Sequence, residues 1–177
     1  MALPKKPEVF DGRITEIVEL LKGLYEIQAS KYWCWQKLES WTLKAGSEKE
    51  LLSVENGGIY NTLCRITMPD ATPPNRVHFT IDVANKTTGE KYTIIGSNPQ
   101  TLHDLNLTTP NPFGYITIYD STNYIYAWHE PWELNLRQGE TATVKLTNET
   151  PRDITVEAIT VDGYARPLGR YISREVP

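Results

Sequence analysis

Three histidines, His78, His103 and His129, come first among the residues that could do chemistry, because imidazoles on β-strands can hold a metal. A strand site needs a pair such as His-x-His or His-x-Asp/Glu, since side chains two apart project to the same face. The nearest approach is His78-Phe79-Thr80-Ile81-Asp82, where His78, Thr80 and Asp82 share the face opposite Phe79 and Ile81. That face reads as a solvated row, so neither a metal nor a cofactor is expected. Glycoside hydrolysis needs two carboxylates at a fixed separation. Glu130 and Glu133, in Trp128-His129-Glu130-Pro131-Trp132-Glu133, are the pair set among aromatics. In a Pro-containing loop after a strand they read as a rim feature. There is no Gly-x-Ser-x-Gly elbow, and Asn56-Gly57-Gly58 reads as a turn between strands. No catalytic residue is assigned, and the chain is expected not to be an enzyme.

Cys34 and Cys64 are too few for a disulfide scaffold, match no metal knuckle in their spacing, and read as buried free thiols. Eighteen basic residues against 22 acidic give a net charge of −4, and a phosphate backbone needs a basic footprint, so nucleic acid is not an expected partner. No stretch approaches about 18 consecutive apolar residues, which excludes a membrane-spanning helix. The start, Met1-Ala2-Leu3-Pro4-Lys5-Lys6-Pro7, lacks the apolar core of a secretory signal.

The richest constellation is aromatic. The hairpin spanning 114–129 carries Tyr115, Tyr119, Tyr124, Tyr126 and Trp128 on one face, with Thr117 among them. Such rings suit surfaces that are partly wet and partly buried, and three readings stay open. The face is covered by the helix or by the Trp33/Trp35/Trp41 segment of the same chain; it is a protein interface; or it is a sugar platform, with Asp120, Asn123 and Glu130 as hydrogen-bond partners.

The elements that must position these residues follow from periodicity. Asp11 is an N-cap for a helix over 12–31, in which Ile14, Ile17, Val18, Leu21, Leu24 and Tyr25 recur at helical spacing opposite Glu16, Glu19, Lys22 and Glu26. Ile14/Ile17 and Leu21/Leu24 make a two-heptad seam that ends at Gln28 and Lys31. The helix either packs on its own β domain or associates with another copy. From Leu38 onward short alternating segments predict strands over 39–44, 50–55, 60–67, 76–84, 91–96, 114–119, 124–129, 141–147 and 153–161, with longer crossings at 69–75 and 98–112. Side-chain parity supports three hairpins, pairing Tyr119 with Tyr124, Val83 with Tyr92, and Leu146 with Ile154, each with an aliphatic side for the core. The expected architecture is mainly β: an antiparallel jelly-roll or Greek-key β-sandwich over 38–177, preceded by an N-terminal arm and amphipathic α-helix over 1–37.

The cupin family, a metal-binding jelly-roll class, carries a paired His-x-His motif that this sequence lacks, so its activity is not carried over. The helix Ile14 to Ile27 and the closing stretch, Trp132-Glu133-Leu134-Asn135-Leu136 through Thr141-Ala142-Thr143-Val144-Lys145-Leu146-Thr147-Asn148 and on to Asp153-Ile154-Thr155-Val156-Glu157-Ala158, resemble tailed-phage virion proteins with a helix ahead of a jelly roll. The resemblance implies a virion structural subunit, in head decoration, head–tail connection or the tail, without enzymatic activity. It implies a homo-oligomer, with a trimer favoured, that also meets other virion proteins. Ile14, Ile17, Leu21, Leu24 and the hairpin aromatics are the candidate contacts, and surface glycans are the alternative partner.

Overall fold

The computed structural model describes residues 16–22, 24, 31–96, 116–120 and 122–173. Its described strands are β1 (Lys31–Lys37), β2 (Trp41–Leu43), β3 (Ser47–Thr67), β4 (Val77–Asn85), β5 (Lys91–Ile95), β6 (Ile116–Asp120), β7 (Ile125–Asn135), β8 (Glu140–Asn148) and β9 (Ile154–Ser173). Residues 16–22 and 24 are helical. The expected helix end at Lys31 is instead the start of β1. Tyr32-Trp33-Cys34-Trp35 alternates faces as a strand and pairs with Tyr164 to Val161 of β9.

Two long strands, β3 and β9, run through both layers of a sandwich. The front layer is β1 and β2, the first half of β9, the second half of β3, then β7 and β6. The back layer is the end of β9, the first half of β3, then β8, β4 and β5. The main segments in chain order are β1/β2, the two halves of β3, β4, β5, β7, β8 and the first half of β9. Their order is first–eighth–third–sixth in front and second–seventh–fourth–fifth behind, which is the jelly roll.

The expected turn at Asn56-Gly57-Gly58 is a corner inside β3. Asn56 has φ 48°, and the ladder with β9 shifts register across it, between Glu55 and Gly57. A Cβ on Gly57 would overlap the Tyr164 carbonyl, so these glycines let two strands bend together.

Of the three hairpins, Val83↔Tyr92 and Ile81↔Ile94 form as expected. Leu146 and Ile154 do not pair: β8 lies against β3 and β4, while β9 lies against β1, β2 and β3. The connection turns from one layer to the other around buried Asn148. Its Nδ2 donates to the carbonyls of Leu43, Lys44 and Arg152, and its Oδ1 accepts from the Thr150 backbone N–H and hydroxyl. In the third hairpin Tyr119 meets Tyr126 rather than Tyr124. Asp120 accepts hydrogen bonds from the Thr122 and Asn123 backbone, and Tyr124 takes φ 53° to close the turn, which removes it from the ladder.

The core lies between the layers. Phe79, Ile81, Val83, Ala142, Val144, Leu146, Leu52 and Val54 line the back, and Tyr126, Trp128, Trp132, Cys64, Ile66, Val156, Ile159 and Val161 the front. Phe79 and Trp128 touch across it with ring centroids 5.8 Å apart. No described helix is long and apolar enough to cross a membrane.

Candidate interaction site

The hairpin aromatics whose side chains are described turn inward. Tyr126 and Trp128 are buried in the core and Tyr124 packs partly buried against it. The Tyr119 backbone pairs with Tyr126 in the ladder. The aliphatic side of β7 expected in the core, Ile125 and Ala127, is instead only half-buried. Large rings bury more apolar area than isoleucine and alanine, and the sandwich interior takes them. Tyr126 and Trp128 are covered within the same chain, by the core between the layers where Phe79 meets Trp128, so these two residues are neither an exposed interface nor a sugar platform. Tyr115 lies outside the described residues.

Glu130 and Glu133 stand on opposite sides of β7, Glu130 buried and Glu133 exposed, so their carboxylates do not converge on a substrate. His78 lies on the back layer and His129 on the front, both half-buried, and burial lowers the His78 pKa. Thr80 and Asp82 follow His78 on the outer back face as expected, but they are bonded rather than merely solvated: Thr80 to Thr147 and Asp82 to Thr93. Both thiols are free, yet only Cys64 is buried; Cys34 is exposed because it sits on the outer side of edge strand β1. A hydrogen bond with Asp162 raises the Cys34 pKa, and burial pushes Cys64 well above the usual thiol value.

The constellation missed by sequence reasoning is on the outer front face. Tyr164 of β9 lies across Gly58 of β3, where a Cβ would overlap its ring, and its hydroxyl donates to Asn135 Oδ1 at 2.6 Å. Tyr60 occupies the register shift between Ile59 and Asn61, and this irregularity aims its ring over Tyr164 at 5.2 Å. Tyr32 of β1 flanks Tyr60 at 5.9 Å. Exposure rises outward along this stack, from 7% at Tyr164 to 43% at Tyr60 and 77% at Tyr32. Desolvation raises the Tyr60 pKa, with a smaller contribution from its hydrogen bond to Tyr32. Arg166 closes the inner end, donating to the Leu136 carbonyl at 2.9 Å with its guanidinium carbon 5.8 Å from the Tyr164 ring centre. Exposed Leu63 continues the face along β3.

No protein family and no curated protein matches this chain. Two solved structures show a partial likeness, each over 84% of the chain at 12% identity. One is the catalytic domain of a GH87 alpha-1,3-glucanase in complex with tetrasaccharides, with a TM-score of 0.22 and 27% of that chain covered. The other is infectious bursal disease virus Gx strain, with a TM-score of 0.25 and 45% covered. The chain spans less than half the length of either.

The second exposed apolar surface is the helix. Ile17 and Leu24 are each 55% exposed and Leu21 58%, with Val18 and Leu20 open beside them. On the polar side Lys22 pairs with Glu19 at 2.9 Å. The sandwich of the same chain therefore leaves this stripe uncovered. Ile14, the first residue of the expected seam, lies outside the described residues.

Proposed function

We propose that this chain is a non-enzymatic virion structural subunit that assembles as a homo-oligomer, a trimer being the favoured state, through its N-terminal helix and the front of its sandwich. The observation that carries the reading is the open apolar stripe of Ile17, Leu21 and Leu24. An amphipathic helix derives most of its stability from packing that face, and a short isolated helix is marginal in water. A neighbouring subunit supplies the missing contact. The jelly roll suits the role as a frame shared by capsid subunits and other binding domains, an argument from analogy of fold. Decoration of a phage head, head–tail connection and a tail position are the finer forms, with the arm over 1–10 docking on the particle.

Light scattering over a range of concentrations tests the assembly. The full chain is expected at three times its monomer mass, and Leu21→Lys at the monomer mass with an unchanged circular dichroism spectrum. A full chain that stays monomeric at the highest concentration refutes it. Electron microscopy of the native particle, with the chain located in it, tests the virion assignment.

A further inference from the structure

We infer that the helix of one copy docks on the tyrosine face of the next, with Ile17, Leu21 and Leu24 lying against Tyr32, Tyr60 and Leu63. The inference rests on the homo-oligomer reading above and names the surface that receives the helix.

Among the described residues, the helix stripe and the tyrosine face are open apolar surfaces that are complementary in kind. The helix offers aliphatic side chains on one stripe, while the front face offers exposed rings and a leucine. Their dimensions agree. Ile17 to Leu24 covers about 10 Å along a helix at about 1.5 Å per residue. Tyr32 on β1 and Leu63 on β3 are two strand spacings apart, about 10 Å, and offset by four residues along the ladder, about 13 Å, so the receiving face is long enough to hold the stripe.

Helix-to-helix pairing is the competing arrangement, and the fold limits it. A self-sufficient coiled coil needs about three to four heptads. β1 begins at Lys31, so the seam cannot continue past its second heptad. A broad receiving surface compensates for a short helix.

A sugar is the other occupant to weigh. Several of the polar groups beside the tyrosines that would recognise hydroxyls are already engaged. Asn135 Oδ1 accepts from Tyr164, Asp162 Oδ2 accepts from Asn61 at 3.2 Å, and Arg166 donates to Leu136 and to Tyr164. The outward surface of Tyr32, Tyr60 and Leu63 is mostly ring and aliphatic, which fits an apolar helix better than a saccharide.

Helix-on-face contact is heterologous, using two different patches, and such contacts close into a ring when the rotation between copies closes. A three-membered ring satisfies every helix and every face, which matches the trimer.

Cys34 makes the arrangement measurable, because it is exposed on the receiving face next to Tyr32, while Cys64 is buried. Val18→Cys places a second thiol on the helix stripe with little change in volume. A short bismaleimide added to a mixture of isotopically light and heavy Val18→Cys protein is expected to join position 18 of one copy to Cys34 of another, as read by mass spectrometry. Cys34→Ser in the same background abolishes that product. Tyr60→Ser is expected to keep the fold and weaken association by about tenfold or more, read by light scattering.

Cross-links from position 18 to position 18 that persist with Cys34→Ser overturn the inference and leave the oligomer standing. Links confined to single copies overturn it too, since the helix then covers its own face. Tyr60→Ser with wild-type mass at every concentration but lost binding on a glycan array overturns it in favour of a sugar. A wild-type monomer defeats this inference and the homo-oligomer reading together.

Discussion

The two outer faces of the sandwich are built from strands of similar length, yet they are finished differently. On the back, Lys145 reaches Glu48 at 2.8 Å and Asp82 at 2.9 Å, and Asp82 accepts from Thr93 at 2.6 Å. Ser53 bonds to Thr143 at 3.1 Å, and Thr80 to Thr147 at 2.8 Å. Most of the rows there end on a polar partner within the chain, and Ile95, paired with Thr80 on edge strand β5, is an exposed apolar exception. On the front, Arg65 pairs with Glu157 at one end and Asn61 bonds to Asp162 further along, and beside them Tyr32, Tyr60 and Leu63 stand exposed. The back is finished as a solvent surface, and exposed aromatics on the front mark a surface to be covered. Charges on the back also disfavour stacking of one copy on another, since desolvating them without new partners is costly.

The largest test of this contrast is at the floor of the tyrosine stack. Gly58→Val drives a side chain into the Leu134 carbonyl and the Tyr164 ring. The cost is expected at about 3 kcal/mol, because the obstacle includes backbone that cannot swing away. Thr143→Val on the back removes one hydrogen bond to Ser53 and is expected to cost about 1 kcal/mol. Urea unfolding followed by circular dichroism measures both. Equal midpoints for Gly58→Val and wild type would show that Tyr164 does not rest on that backbone.

The difference between the faces was only partly legible in the sequence. His78, Thr80 and Asp82 declare their shared outer side through period-two alternation, and β4 and β5 pair as parity predicts. The tyrosine stack is assembled from positions 32, 60 and 164, and no local pattern links them. Its traces are Gly-Gly two residues before Tyr60 and Gly163 before Tyr164, glycines in strands that mark close backbone approach. β1 was masked by its place after a helical pattern, although Tyr32 and Cys34 alternate with Trp33 and Trp35. Parity also assigned the hairpin's two sides consistently without saying which faces inward. That choice depends on the volume between the layers, which is known only when Phe79 meets Trp128.

A second test weakens the back face. Lys145→Met removes both ion pairs, and because Glu48 and Asp82 are partly exposed the expected loss is about 1 kcal/mol at neutral pH. The pH dependence has a definite sign. The Thr93 hydrogen bond, then that of Lys145, holds Asp82 below the usual carboxylate range. Its contribution is therefore present above the unfolded value, about 3.9, and is lost as pH falls through the lower folded value. Lys145 is raised, chiefly by its hydrogen bond to Glu48 and next by Asp82, so its share is present below about 10.4 and disappears as pH rises through the folded value. The wild-type advantage over Lys145→Met should hold from pH 5 to 9 and shrink in strong acid. A gap that persists at about pH 2 would mean that packing, not charge, carries it.

Thiol labelling compares the front face with the core directly. Cys34 is exposed and Cys64 buried, so native protein should react at one site and unfolded protein at two. Because Asp162 raises the Cys34 pKa, its alkylation should lag behind a free model thiol at neutral pH. Protection of Cys34 should increase with protein concentration as the front face is covered. Constant reactivity across concentrations would leave that face open in the oligomer.

The smallest expected effect on folding is the most discriminating. Tyr60 stacks on Tyr164 but remains 43% exposed, so Tyr60→Ser should cost only about 0.5 kcal/mol, the low end of an aromatic pair. Its unfolding midpoint should sit beside that of Thr143→Val, while its association is weakened far more than that of any back-face variant. This separation is the difference between the two faces expressed as a measurement. In the proposed assembly, a back-face side chain contributes to stability through partners in its own chain, whereas the outer rings of the front contribute through partners in another. Should Tyr60→Ser destabilise the fold as strongly as Gly58→Val, the ring would be the cover that Tyr164 requires. The front would then be finished within one chain, like the back.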